Sequence, residues 1–97
     1  MKLVWQRQAE TEFREAARYY IDHAGMSVAE DFRNAVMQAA ARLLQFPELG
    51  MRIEHDTRRL PLHDYPYSLI YRVRPTAIVI VATANQRRRP GYWAGRR

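Results

Sequence analysis

Three consecutive arginines, Arg87, Arg88 and Arg89, precede Pro90-Gly91 and two aromatic residues, Tyr92 and Trp93. Guanidinium forks beside two aromatic faces suit a nucleic-acid backbone with exposed bases. They suit an acidic protein surface equally, because arginine, tyrosine and tryptophan dominate interface hot spots. A further arrangement folds Tyr92 and Trp93 back over an open sheet face and leaves the arginines in solvent; Pro90-Gly91 permits the reversal. Arg96 and Arg97 extend the patch, although terminal residues are often disordered. Charge is concentrated here. Residues 85–97 hold five arginines and no acid, whereas residues 1–84 hold eleven basic against ten acidic side chains, so the net charge of +6 resides almost wholly in the C-terminal segment. Lys2 is the one lysine. GC-rich codons account for that preference but not for the clustering.

Other reactive groups are sparse. The chain has no cysteine, so neither a disulfide framework nor a thiolate metal site is available. The spacings of a metal site, a Ser/His/Asp triad or a phosphate-binding glycine loop are missing, and no cofactor is implied. Of the three histidines, His23 falls near a helix end and reads as structural. His55 and His63 fall in or beside strands, where either could titrate near neutrality.

Sequence patterns place the arginine cluster at the end of a sheet. Residues 67–73 alternate, with Tyr67, Leu69, Tyr71 and Val73 on one face and Ser68, Ile70 and Arg72 on the other. Arg74-Pro75-Thr76 supplies a turn. Residues 77–84 are apolar on both faces, as in a central strand covered on both sides. Residues 2–6 read as a short strand. A helix over residues 7–24 follows, with a stripe of Ala9, Phe13, Ala16, Ala17, Tyr20 and Ala24. Gly25 stands where a left-handed C-cap belongs. Ser27 and Glu30 have capping-box spacing and open a second helix, with a stripe of Val28, Phe32, Ala35, Val36, Ala39, Leu43 and Leu44. It ends at Phe46, because Pro47 disfavours helical conformation in the residue before it. So short a link makes the helices an antiparallel hairpin. Residues 51–56 fit a strand or a loop. Residues 58–63 alternate, but Pro61 cannot donate to a ladder, which places this strand at an edge or a bulge.

The order is β-α-α-β-β-β: one α+β domain over residues 1–97, with the helical hairpin on one face of a mostly antiparallel sheet. A hydrophobic fraction of 47% supports a core and excludes a disordered chain. No apolar run approaches the roughly 20 residues of a membrane span, and the N-terminus lacks a signal-peptide core, so a cytoplasmic location is expected.

The ordered set LLQFPELG (43–50), RRLPLHDYPYSLIYRV (58–73), AIVIVATA (77–84) and QRRRPGYW (86–93), after a strand and a helical hairpin, resembles the RelE/ParE superfamily of small toxins from bacterial type II toxin–antitoxin systems. The resemblance covers essentially the whole chain and is strongest to the ParE-like branch, where an arginine-rich segment ending in Pro-Gly-Tyr-Trp is familiar. It implies a growth-inhibiting, plasmid-stabilising toxin neutralised by a cognate antitoxin. It further implies inhibition of DNA gyrase for the ParE-like branch, and cleavage of mRNA on the ribosome for the RelE-like branch. In the first case Arg87, Arg88, Arg89, Tyr92 and Trp93 contact the target, and the protein is no enzyme. In the second, a metal-free ribonuclease would draw on Arg58, Arg59, Arg87, Arg88 and Tyr92.

Such a nuclease needs a base, an acid and cations around the phosphate. Ser68 stands where the nuclease branch tends to carry a basic residue, and Asn85 stands where many relatives carry a histidine. Arginine is a poor base because it stays protonated. These departures favour the gyrase reading. A third possibility is a non-toxic nucleic-acid-binding module, whose affinity would fall steeply with salt. An antitoxin segment is expected either at the sheet edge near residues 58–62 or on the outer flank of the first helix. No individual antitoxin-binding residue is assigned.

Overall fold

The computed structural model describes residues 1–97. Its elements are β1 (Lys2–Trp5), α1 (Arg7–Ala24), α2 (Met26–Gln45), β2 (Met51–Ile53), β3 (Thr57–Pro61), β4 (Tyr67–Val73) and β5 (Ala77–Asn85). The strands form one sheet in the order β1-β5-β4-β3-β2, parallel between β1 and β5 and antiparallel elsewhere. The architecture is α+β, as the sequence pattern implies, with a fifth strand, β2, where strand and loop were both open.

Gly25 alone joins the helices. Its φ of 94° and ψ of 167° lie in a region that is essentially glycine's, so the residue is not the compact left-handed cap expected. Because this extended glycine makes the whole reversal, α2 starts at Met26, and Ser27 is already helical. The capping box does not form: neither helix start has a side-chain cap, and Ala29 N–H donates to Gly25 O at 3.2 Å instead.

The hairpin packs Ala9, Ala16 and Ala17 of α1 and Phe32, Val36, Ala39 and Leu43 of α2 against Tyr67, Leu69 and Tyr71 of β4 and Ile78 and Ile80 of β5. Phe32 is the centre of an aromatic cluster, with ring centroids 5.0 Å from Tyr20, 5.2 Å from Tyr65 and 5.3 Å from Tyr67. Two expected stripe members stay exposed because they lie at helix ends: Ala24 beside the Gly25 link and Leu44 in the last turn of α2. The Tyr71 hydroxyl donates to Pro47 O and accepts from Gly50 N–H, both at 2.8 Å, and so ties the chain after α2 to the sheet. A Cβ on Gly50 would sit 2.7 Å from that ring, so only glycine fits.

The β4–β5 register shifts after Ile70: Ile70 pairs with Ala82 but Tyr71 with Ile80, which leaves Val81 bulged. The bulge reverses the alternation. Ile78 and Ile80 face the hairpin; beyond the bulge Ala82 and Ala84 join Ile70 and Trp93 on the opposite face. Residues 58 and 59 are not at an edge, because β2 covers them. The pairing with β2 stops at Arg59, so Leu60 and Pro61 remain uncovered and the missing N–H of Pro61 removes no ladder bond to it.

Candidate functional site

At the end of β5 the chain enters a series of turns. Asn85 Oδ1 accepts from Arg87 N–H at 2.8 Å and Asn85 O from Arg88 N–H at 3.0 Å, a side-chain-stabilised turn. Gly91, at φ 78°, permits the next reversal. Residues 86–90 are exposed. Trp93 is the anchor: only 6% exposed, it packs with Ile70, Val81, Ala82 and Ala84 over the sheet face away from the hairpin. The indole therefore covers the sheet, and it is the neighbouring arginines that face solvent.

The segment is also fastened by charge, on a side chain of α1 outside the arginine-aromatic cluster. The Glu12 carboxylate, 11% exposed, accepts from the Tyr92 hydroxyl at 2.7 Å and from both terminal nitrogens of Arg96 at 2.9 and 3.1 Å. It also accepts from Thr83 N–H at 3.1 Å. Arg96 in turn donates to Val81 O at 3.0 Å. These bonds serve a backbone need: β1 pairs with β5 only as far as Ile80, and Glu12 and Arg96 satisfy groups on the strand edge beyond it. Arg88 stacks on Tyr92, 4.0 Å from the ring centroid, and lies 4.0 Å from Glu12 Oε2. Burial pushes the Tyr92 phenol far above its ordinary range, and the hydrogen bond to Glu12 adds to the shift. Burial works against the Arg96 charge, but the hydrogen bonds and attraction to Glu12 outweigh it and raise its pKa.

The five arginines of residues 85–97 are thus unequal. Arg96 is consumed by Glu12 and Arg88 is shared, while Arg87, Arg89 and Arg97 are exposed and take part in no side-chain hydrogen bond or ion pair. Arg87 and Arg88 rim a cleft of about 460 Å³ against α1, with Glu15, Tyr19 and Tyr20. On the other side Arg88 shares a hollow of about 220 Å³ with Arg59, Ser68 and Trp93.

The set named for a ribonuclease is divided. Arg58 pairs across from Tyr71 and donates to Gly50 O at 2.9 Å, which makes it a brace for the chain after α2. Arg59, across from Ile70, reaches the Trp93 side. The Tyr92 hydroxyl is already engaged, donating its hydrogen bond to Glu12. His55 sits at φ 62° in the β2–β3 turn and His63 lies exposed beside Asp64, with Nδ1 2.8 Å from Oδ1; neither lines a hollow beside Arg88. His23 stacks on Tyr19, with Nδ1 2.9 Å from Tyr19 O.

Glu12 had one legible signal. It lies three residues after Ala9 and four before Ala16, on the flank of the buried stripe, where a carboxylate needs a partner. Its partners lie 71 to 84 residues away, beyond any local pattern.

The family model described as ParE toxin of type II toxin–antitoxin system, parDE, matches residues 3–90. The chain belongs to that family and is a ParE-like toxin of a type II system, whose partner is an antitoxin. A solved structure titled "Chromosomal ParDE TA system from P. aeruginosa" shares the fold, with a TM-score of 0.77 at 22% identity over 88% of this chain and 95% of that one. No curated protein matches the sequence. No helix is long and apolar enough to cross a membrane.

Proposed function

We propose that this toxin inhibits DNA gyrase by direct binding, and that the contact surface is the C-terminal segment led by Arg87 and Arg89. One observation carries the reading: exposed, unpaired guanidinium groups are held on a segment anchored by Trp93 and Glu12, in a form ready to meet an acidic or phosphate-bearing surface. Membership of the ParE toxin family supports the same target. Neutralisation follows from antitoxin binding along the uncovered end of β3, Leu60 and Pro61, beside a groove that α2 lines with Ala35, Gln38 and Ala39.

One feature favours the mRNA alternative. Arg59 and Arg88 share a hollow into which a phosphate could fit, although no base stands with them. Purified toxin should therefore be assayed against plasmid supercoiling by gyrase and against mRNA on translating ribosomes. Loss of supercoiling with intact mRNA is the expected result; codon-linked cuts with gyrase unaffected would replace the proposal with the alternative.

A further inference from the structure

Every ion pair made by residues 85–97 ends on Glu12. That carboxylate joins three parts of the chain: α1, which carries it; β5, through Thr83 N–H; and the C-terminal segment, through Tyr92 and Arg96. The Arg96 contact is an end-on fork in which its two terminal nitrogens meet the two carboxylate oxygens, a geometry that fixes orientation as well as distance. The Tyr92 ring lies 4.0 Å from the Arg88 guanidinium and 5.1 Å from that of Arg96, so the same carboxylate also orders the arginine within the run. Arg87 and Arg89, on either side of Arg88, receive no such support of their own.

We infer that Glu12 is a positioning residue for target binding: it fastens the C-terminal segment to α1, so that Arg87 and Arg89 are presented in one pose while Tyr92 and Arg96 serve as its receivers and not as target contacts. This rests on the reading that residues 87–89 meet the target. A segment ordered before the encounter spares the complex the entropy of ordering it afterwards. If the unfastened segment occupies the competent pose for about 10% of the time, apparent affinity falls about tenfold.

Glu12→Gln tests this in the full-length toxin, because the amide keeps the shape and removes the charge. Three readings are taken together: amide hydrogen exchange of residues 86–97, the toxin concentration that half-inhibits gyrase supercoiling, and growth arrest on expression. Exchange in the segment should accelerate at least about tenfold while the amides of β4 hold their protection, and half-inhibition should need about tenfold more toxin. Arg96→Gln should reproduce both effects from the other end of the contact. Arg96→Lys, which keeps the charge and one donor, should recover part of each, as mere loss of packing would not. Fast exchange with undiminished potency overturns the inference, and so does unchanged exchange. A wild-type toxin that leaves gyrase untouched removes the target reading alone; growth arrest then supplies the activity comparison, with the same outcomes. If Glu12→Gln does not fold, the two Arg96 variants carry the test.

Discussion

Fourteen buried residues close the sheet against the helical hairpin, but only five close its opposite face, so burial alone cannot hold the second cover as it holds the first. On the hairpin side an aromatic cluster around Phe32 and two strands of Tyr, Leu and Ile interlock without charge. On the other side a single indole anchors a segment of turns, and the fastening comes from Glu12, Tyr92 and Arg96. The first arrangement rests on apolar packing. The second exposes cationic side chains at fixed positions and depends on one carboxylate. Division of labour follows: one face makes the fold, and the other presents the toxin's charge.

The largest effect expected is on the hairpin face. Phe32→Ala should cost about 3–5 kcal/mol in urea denaturation, through lost transfer energy and the cavity left among Tyr20, Tyr65 and Tyr67. A cost below about 1 kcal/mol would mean that this face does not dominate stability. Tyr71→Phe should cost about 1–3 kcal/mol, since it leaves Gly50 N–H and Pro47 O without their partner. The same measurement on Arg58→Ala, which loses a bond to Gly50 O, should show a smaller loss.

The smallest effect is on pH dependence and involves both faces. Tyr20, Tyr65, Tyr71 and Tyr92 all have pKa values raised above the ordinary phenol value, with burial the leading cause in each. A group whose folded pKa is raised favours the folded state below its unfolded value and loses that contribution as pH climbs. Stability should therefore hold to about pH 10 and fall above it. Phenolate absorbance should show these tyrosines ionising late and Tyr92→Phe removing the latest of them. Ionisation of these four near pH 10 without loss of structure would contradict the burial seen here.

What could be read in the sequence was local. The bounds of α1 coincide with its apolar stripe and the glycine after it, and β5 announces its two covered faces by an unbroken apolar run. The bulge at Val81 was invisible, because it is a property of pairing with β4 and not of either strand alone. β2 has three residues, too few for alternation to show, yet it removes residues 58 and 59 from the edge. The arginine-aromatic segment was visible as a cluster of charge. Its partition into latched and exposed members was not, because it turns on Glu12, which lies 84 residues from Arg96 in the chain.

The central claim is that the exposed arginines act on the target while the fold rests elsewhere. Arg87→Ala combined with Arg89→Ala tests it most directly, since neither side chain has a hydrogen-bond or ion-pair partner in the fold. The double variant should unfold within about 0.5 kcal/mol of the parent, as expected for surface changes, and should no longer block plasmid supercoiling by gyrase. A folded double variant that blocks supercoiling as the parent does would contradict the account.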